Sequence, residues 1–330
     1  MARAWRLKSR PTGLPNLDNF ELREFDLPDL REGEIKVRNS WVSVDPYMRG
    51  KMYEARRHTP GYELDEPMTG GGVGVVVESR SPDFAAGDQV SHLLGWRDWT
   101  VGPATAFKKI PGSNLPAQYY LHHLGMIGFT AYIGLLVVAE AEAGETLFVS
   151  AAGGSVGSAV VQIAKLKGLR VIASAGGAAK CAMVAGLGAD EVIDYKAPGA
   201  LSDKLASAAP KGLDLYFDNV GGEHLDAALG CAKAKARFAM CGMVSTYNDN
   251  TAPMNFLNMP RIVGQQIQLR GFMVGEFMPY FAGFRRDMTE WISTGQVRSP
   301  ETIREGLEAA PSALIELFTG NVLGKMLVRL

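Results

Sequence analysis

The segment Thr146-Leu-Phe-Val-Ser150-Ala-Ala-Gly153-Gly154-Ser155-Val156-Gly157 joins an apolar run, a glycine-rich turn and the start of an amphipathic stretch. The chemistry open to such a turn is the binding of phosphate. Gly154 allows the backbone to approach a pyrophosphate, and Gly157 allows the next helix to pack close to the strand. Exposed N–H groups and the helix dipole then hold the negative charge. The spacing is A-x-x-G-x-x-G from Ala151, not the full G-x-G-x-x-G, and the glycines alone also suit a plain turn of any α/β protein. The context favours the phosphate reading: a strand precedes, a helical stretch from Ser155 to Lys167 follows, and a second strand comes next.

The second strand bears on the type of dinucleotide. An NAD site usually places Asp or Glu about 20 residues after the glycines, where it accepts the ribose 2′-OH. Here that point is Ser174-Ala-Gly-Gly-Ala-Ala-Lys180, and no acid appears until Asp190. A missing carboxylate beside Lys180 favours NADP; the alternative for Lys180 is a solvated first-turn lysine. Catalytic groups are harder to find. No Ser-His-Asp order stands out, and there is no G-x-S-x-G elbow. The histidines are His58, His92, His122, His123 and His224, none with a partner at zinc-like i,i+4 spacing. The adjacent His122 and His123 should point to two different faces of a helix, one of them for packing or capping. Tyrosine beside a nicotinamide is the acid–orienter combination left. Tyr247 follows the fifth strand of the α/β region, where doubly wound sheets bind ligands; position alone equally suits a surface aromatic.

These residues need a scaffold. The chain has 330 residues, too long for one ordinary core, since cores stop growing at roughly 250–300 residues. Hydrophobic residues make up 47% and charged residues 21%, which argues against disorder and coiled coil. With 34 basic and 35 acidic residues the net charge is -1, so no general nucleic-acid or membrane-surface binder is expected. Cys181, Cys231 and Cys241 form no C-x-x-C pair, which excludes a disulfide framework and a cysteine-rich zinc site. Met1 to Arg10 is charged, with no apolar stretch of a signal peptide after it, and no apolar run is long enough for a membrane span. The cytoplasm is the expected compartment.

The first ~120 residues are dense in Pro, Gly and short β-branched runs, which predicts strands at Ile35–Ser43 and Val73–Glu78. Helical spacing is expected from Tyr119 to Ala139. Strands at 146–150, 170–174, 191–194, 213–219 and 236–241 then alternate with helices at 155–167, 178–187, 201–208 and 223–231. A sixth strand is expected at 268–273. From Ser299 the chain should return to a helix and a final strand, Lys325–Leu330. This alternation implies parallel pairing, hence an α/β doubly wound sheet.

Further stretches tie the chain to a known family. They are Ser43-Val-Asp-Pro-Tyr47-Met-Arg49, Gly70-Gly-Gly-Val-Gly74, Gly125-Met-Ile-Gly-Phe-Thr-Ala-Tyr132, Ile193-Asp-Tyr195-Lys196 and Tyr216-Phe-Asp-Asn219-Val-Gly-Gly222. Cys241-Gly-Met-Val-Ser245-Thr-Tyr247-Asn248 and Gly320-Asn321-Val-Leu-Gly324-Lys-Met326 complete the set. With the glycine turn, the chain resembles the zinc-free prostaglandin reductase (leukotriene B4 12-hydroxydehydrogenase) group of the medium-chain dehydrogenase/reductase superfamily. The resemblance implies a mostly β GroES-like catalytic domain over 1–122, a Rossmann NADP domain over 123–298 and a return to the first domain over 299–330. It also implies a cleft between them and usually a homodimer. Zinc-dependent cousins carry a cysteine in the region of Ser43 and Gly-His-Glu where Gly70 to Gly72 stand; those ligands are missing.

By the same resemblance, the phosphate turn falls on Gly154, Ser155, Val156 and Gly157. Lys180 holds the 2′-phosphate with Tyr195 in support, and Asn219 contacts the ribose side. Cys241, Gly242, Ser245 and Tyr247 run beside the nicotinamide half. Phe272, Met273 and Val274 line its pocket, and Asn321 closes over it. Tyr47, Tyr53 and Tyr280 lie on the substrate side, and Tyr247 is the expected catalytic residue. The implied activity is NADPH-dependent, zinc-independent reduction of the C=C bond of α,β-unsaturated ketones or aldehydes. The alternatives are an NADPH quinone oxidoreductase and a nucleotide-binding protein without turnover.

Overall fold

The computed structural model describes residues 1–54, 60–112, 114–249, 251, 253–320 and 322–330. Period-two burial marks the strands of the first hundred residues. In β3 (Glu34–Ser43) Ile35 and Val37 are buried while Arg38 is exposed, the alternation of a sheet with one wet face. Before it lie β1 (Ala2–Leu7) and β2 (Phe20–Phe25), an antiparallel pair. After it come α1 (Tyr47–Lys51), β4 (Gly72–Ser79), β5 (Gln89–His92), β6 (Trp99–Pro103) and β7 (Phe107–Lys109).

The predicted helix over 119–139 is broken. A 3-10 turn at Ala117–Leu121 ends at His122, whose φ of -143° and ψ of -98° are not helical, and α2 (Met126–Ile133) starts afresh after Gly125. The chain doubles back tightly here: a Cβ on Gly128 would lie 2.0 Å from the His123 carbonyl oxygen. A π turn, Gly134–Val138, then closes the segment. His122 and His123 therefore stand in a turn, not on a helix. His122 Nε2 meets Glu301 at 2.8 Å, while the His123 ring lies between the Ser299 hydroxyl (3.0 Å) and the Ser155 carbonyl (3.3 Å).

The α/β alternation follows as expected. Its elements are β8 (Thr146–Val149), α3 (Ser155–Leu166), β9 (Arg170–Ala175), α4 (Ala178–Gly186), β10 (Glu191–Asp194) and α5 (Leu201–Ala208). Then come β11 (Leu213–Asp218), α6 (Gly222–Cys231), β12 (Ala232–Met240), α7 (Pro260–Gln265), β13 (Gln268–Gly271) and α8 (Phe281–Ser293). Their strands pair in the order β10-β9-β8-β11-β12-β13, all parallel. Phe148, Tyr216 and Phe238, from three adjacent strands, are wholly buried and pack ring on ring at 5.2 Å. Each such side chain contributes about 1.5–3 kcal/mol by leaving water. β12 begins four residues before the expected 236, and β13 stops at Gly271, which frees Phe272 and Met273 from the ladder.

The tail adds β14 (Glu301–Glu305), α9 (Ala310–Thr319) and β15 (Lys325–Arg329). The strand β14 was not expected. The second sheet among the described residues runs β14-β15-β3-β4-β5-β7, with β6 also on β3. The chain thus divides into a mostly antiparallel unit, Met1–His122 with Glu301–Val322 and Met326–Leu330, and a parallel α/β unit, His123–Pro300 with Leu323–Lys325.

Candidate cofactor and active site

The glycine turn leaves β8 through Ala151, held at a left-handed φ of 48°. The Gly154 amide closes the turn on the Ala151 carbonyl at 2.9 Å. Gly154 then caps α3 with extended backbone and no side-chain bond, so the first-turn amides keep no helical partner. A Cβ on Gly157 would lie 2.4 Å from the Ala151 carbonyl oxygen and 2.7 Å from the Ala152 Cα, so only glycine lets the helix begin this close to the strand. Among the described residues the buried Ser155 hydroxyl has no hydrogen-bond partner. An uncapped turn beside an orphaned hydroxyl fits a phosphate group. From the tail, the Gly324 amide donates to the Gly153 carbonyl at 2.9 Å.

The end of β9 explains the missing acid. A Cβ on Gly176 would meet the Tyr195 phenol oxygen at 2.7 Å and the Lys196 Cε at 3.0 Å. A Cβ on Gly153 would meet the Lys180 Cδ at 3.2 Å. Two glycines therefore admit Lys180, Tyr195 and Lys196 to one place, where an aspartate would collide. Burial first, then the charge of Lys196, lowers the pKa of Lys180. Among the described residues no carboxylate pairs with either lysine. The nearby Asp194 is spent on the amides of Gly177 and Lys196, both at 2.9 Å, which hold its pKa below the ordinary value. Two unpaired ammonium groups and a phenol fit a dianionic 2′-phosphate. Lys196, Gly153 and Gly176 join this candidate site without being expected from the sequence; the signal available is Gly176-Gly177 beside a tyrosine–lysine pair.

Across the sheet, Asn219 donates its amide N–H to the Ser150 hydroxyl (2.9 Å) and its side-chain Nδ2 to the Ser150 carbonyl (2.8 Å). The amides of Cys241 and Gly242 donate to the Asp218 carbonyl at 2.9 and 3.0 Å. An open groove of about 410 Å³ lies at the carboxyl ends of β12 and β13, with Cys241, Gly242, Phe272, Met273 and Glu276 in its wall. Tyr247 follows a 3-10 turn, Val244–Thr246, and its phenol oxygen lies 3.3 Å from where a Gly242 Cβ would stand. The structure therefore brings Tyr247, Cys241, Gly242, Phe272 and Met273 to one groove edge. Ser245 donates its hydroxyl to the Val220 carbonyl (2.6 Å), and Val274 opens the turn that carries Glu276. Tyr280 is 50% exposed on that same segment. Glu276 and the buried Asp218 were also missed.

Tyr47 and Tyr53 belong to the antiparallel unit, Tyr47 on α1 and Tyr53 under the Arg49 guanidinium at 4.2 Å. Asn321 lies outside the described residues. At the positions where zinc ligands stand in cousins, Ser43 donates to Asp45 and Gly72 packs on His92. Among the described residues no group of His, Cys, Asp and Glu is placed to hold a metal ion, and no helix is long and apolar enough to cross a membrane.

Residues 3–110 match the family described as the N-terminal domain of oxidoreductase, and residues 155–294 match that described as zinc-binding dehydrogenase. The chain is 39% identical over 333 residues to the NADPH-dependent curcumin reductase of Escherichia coli (strain K12), covering 99% of this chain and 96% of that protein. It is 39% identical to prostaglandin reductase 1 of Rattus norvegicus, covering 99% of both. The crystal structure of CurA in complex with NADPH from Vibrio vulnificus superimposes with a TM-score of 0.94 at 38% identity, covering 99% of this chain and 98% of that one. The chain belongs to the zinc-free double-bond reductases of the medium-chain dehydrogenase/reductase superfamily.

Proposed function

We propose that the protein is an NADPH-dependent, zinc-independent reductase of the C=C bond of α,β-unsaturated ketones and aldehydes. The observation that carries the reading is Tyr195 and Lys196 over Gly176 with Lys180 over Gly153, close enough for Lys196, after burial, to depress the Lys180 pKa, with no carboxylate among the described residues pairing the lysines, one strand from an uncapped glycine turn. The curcumin and prostaglandin reductases among the relatives support the substrate class.

When bound, NADPH supplies a hydride to the β-carbon of the enone. Gly154, Ser155, Val156 and Gly157 hold the pyrophosphate. Lys180, Tyr195 and Lys196 hold the 2′-phosphate, and Asn219 contacts the ribose side. Cys241, Gly242, Ser245 and the Phe272–Val274 backbone orient the nicotinamide half. The Tyr247 hydroxyl donates to the carbonyl oxygen as negative charge grows there; it, or water, then gives the α-carbon its proton. Tyr47, Tyr53 and Tyr280 contact substrate. Residues 123–298 thus form the NADP-binding domain, which also carries Tyr247, and 1–122 with 299–330 form the GroES-like catalytic domain.

A homodimer fits the edge strand β13, whose surroundings expose Leu257 (85%) and Val263 (82%). Three unpaired cysteines suit a reducing cytoplasm. The decisive experiment is NADPH consumption over a panel of enones, enals and quinones, with product mass. Enone-dependent oxidation with a product two hydrogens heavier is expected; turnover of quinones alone would refute the reading. Light scattering should return twice the chain mass.

A further inference from the structure

Asp218 ends β11 and is fully buried. Its Oδ1 accepts from the Tyr216 hydroxyl (2.7 Å), the Val220 and Gly221 amides (2.8 Å each) and the Ser150 hydroxyl (3.3 Å). Its Oδ2 is buried with no partner among the described residues, and among them no cation pairs with it. Donors alone would favour the carboxylate; burial is the larger influence and raises its pKa from the ordinary value.

The charge is felt one strand away. Burial, and after it Asp218, push the Cys241 thiol up to about 12. Cys241 and Gly242 donate their amides to the Asp218 carbonyl and form part of the groove wall. An uncompensated negative charge therefore stands behind that wall.

The strand order reverses between β8 and β11, and a dinucleotide lies across such a reversal. With the 2′-phosphate cluster at β9 and β10, the nicotinamide half falls on the β11–β12 side. The ring is neutral when reduced and cationic once the hydride has left. We propose that Asp218, without touching the cofactor, electrostatically favours the oxidised nicotinamide in this groove and so stabilises the positive charge that grows as hydride departs. The proposal rests on the cofactor assignment of the preceding subsection. The competing role is purely structural, the holding of the Val220–Gly221 turn.

Binding separates the two roles. Asp218→Asn is isosteric and keeps the accepting oxygen. The dissociation constants of NADP+ and NADPH are measured by fluorescence titration on wild type and variant. The constant for NADP+ should rise roughly 5- to 20-fold more than that for NADPH, the order expected of a buried unit charge acting through an intermediate dielectric. Equal weakening of both, or none, overturns the proposal. Failure of wild type to bind either cofactor refutes the cofactor assignment instead.

Should the variant not fold, calorimetry of the wild type at about pH 5 in buffers of different ionisation enthalpy decides. A cation beside Asp218 lowers its pKa, so NADP+ binding should release more protons than NADPH binding. The titratable groups facing Asp218 are Tyr216 on its own strand and Cys241 on β12, both raised far above that range; Ser150 on β8 carries no charge. The 2′-phosphate titrates in both cofactors and cancels. Equal proton counts overturn the proposal.

Discussion

Lys180→Ala should weaken NADPH far more than NADH. The side chain is half-buried, its stem lies over Gly153, and among the described residues no carboxylate neutralises it. A charge-assisted contact to phosphate contributes about 1.5–3 kcal/mol, so KM for NADPH should rise roughly 10- to 100-fold. NADH has no 2′-phosphate, and its KM should stay within about twofold. Lys196 is exposed, and its contribution is screened: about 0.2–1 kcal/mol, at most roughly fivefold, and weaker at high salt. The pH dependence has a definite sign. Burial and Lys196 lower the Lys180 pKa below its usual 10.5. The ammonium's grip is complete below the folded pKa and is lost as pH rises through it. KM for NADPH should therefore climb on the alkaline side, earlier than an unperturbed lysine would dictate, while the NADH profile lacks that climb. Lys196→Ala should move the climb to higher pH. Steady-state kinetics with both cofactors across pH checks all of this; equal effects of Lys180→Ala on NADPH and NADH would refute the reasoning.

Gly157→Ala places a methyl 2.4 Å from backbone oxygen, so a loss of about 1–3 kcal/mol in stability and of most NADPH affinity is expected from thermal unfolding and titration. Tyr247→Phe keeps the ring and deletes the donor, so kcat for enones should fall about 10- to 100-fold with KM less affected; wild-type kcat across several enones at unchanged NADPH binding would remove Tyr247 from the chemistry. Activity should survive exhaustive dialysis against a chelator, and stoichiometric zinc whose removal abolishes turnover would reopen a Lewis-acid reading.

The α/β half of the fold is legible because its signals are local. Each helix from α3 to α6 and each strand from β8 to β11 is a short periodic run bounded by glycine or polar residues, and the expected limits fall within a residue or two of those found. The segment 119–139 misleads for a physical reason: its apolar spacing is helical throughout, yet the turn at His122–Gly125 is set by tertiary packing, with His122 on Glu301 and His123 on Ser299. Partners some 180 positions away leave no trace in a periodicity. β14 is hidden likewise, since Glu301-Thr-Ile-Arg-Glu305 has little apolar content and is a strand because β15 lies beside it.

The site divides along the same line. Gly154, Gly157 and Lys180, the proposed phosphate site, are readable because phosphate binding demands backbone freedom and positive charge at fixed distances along one βαβ unit. Gly176 is not, because its meaning depends on Tyr195 and Lys196 arriving from the next strand; in sequence it is a gap where an acid should be, and in space it is the room those side chains need. Asp218 is the harder case. As one acid before an asparagine it resembles any polar strand end. Only the sheet reveals that Tyr216, Ser150 and two amides converge on one oxygen while the other is left dry. On the proposed reading, selectivity for the 2′-phosphate arises from side chains that reach the ligand, and the electrostatics of the nicotinamide groove from one that does not.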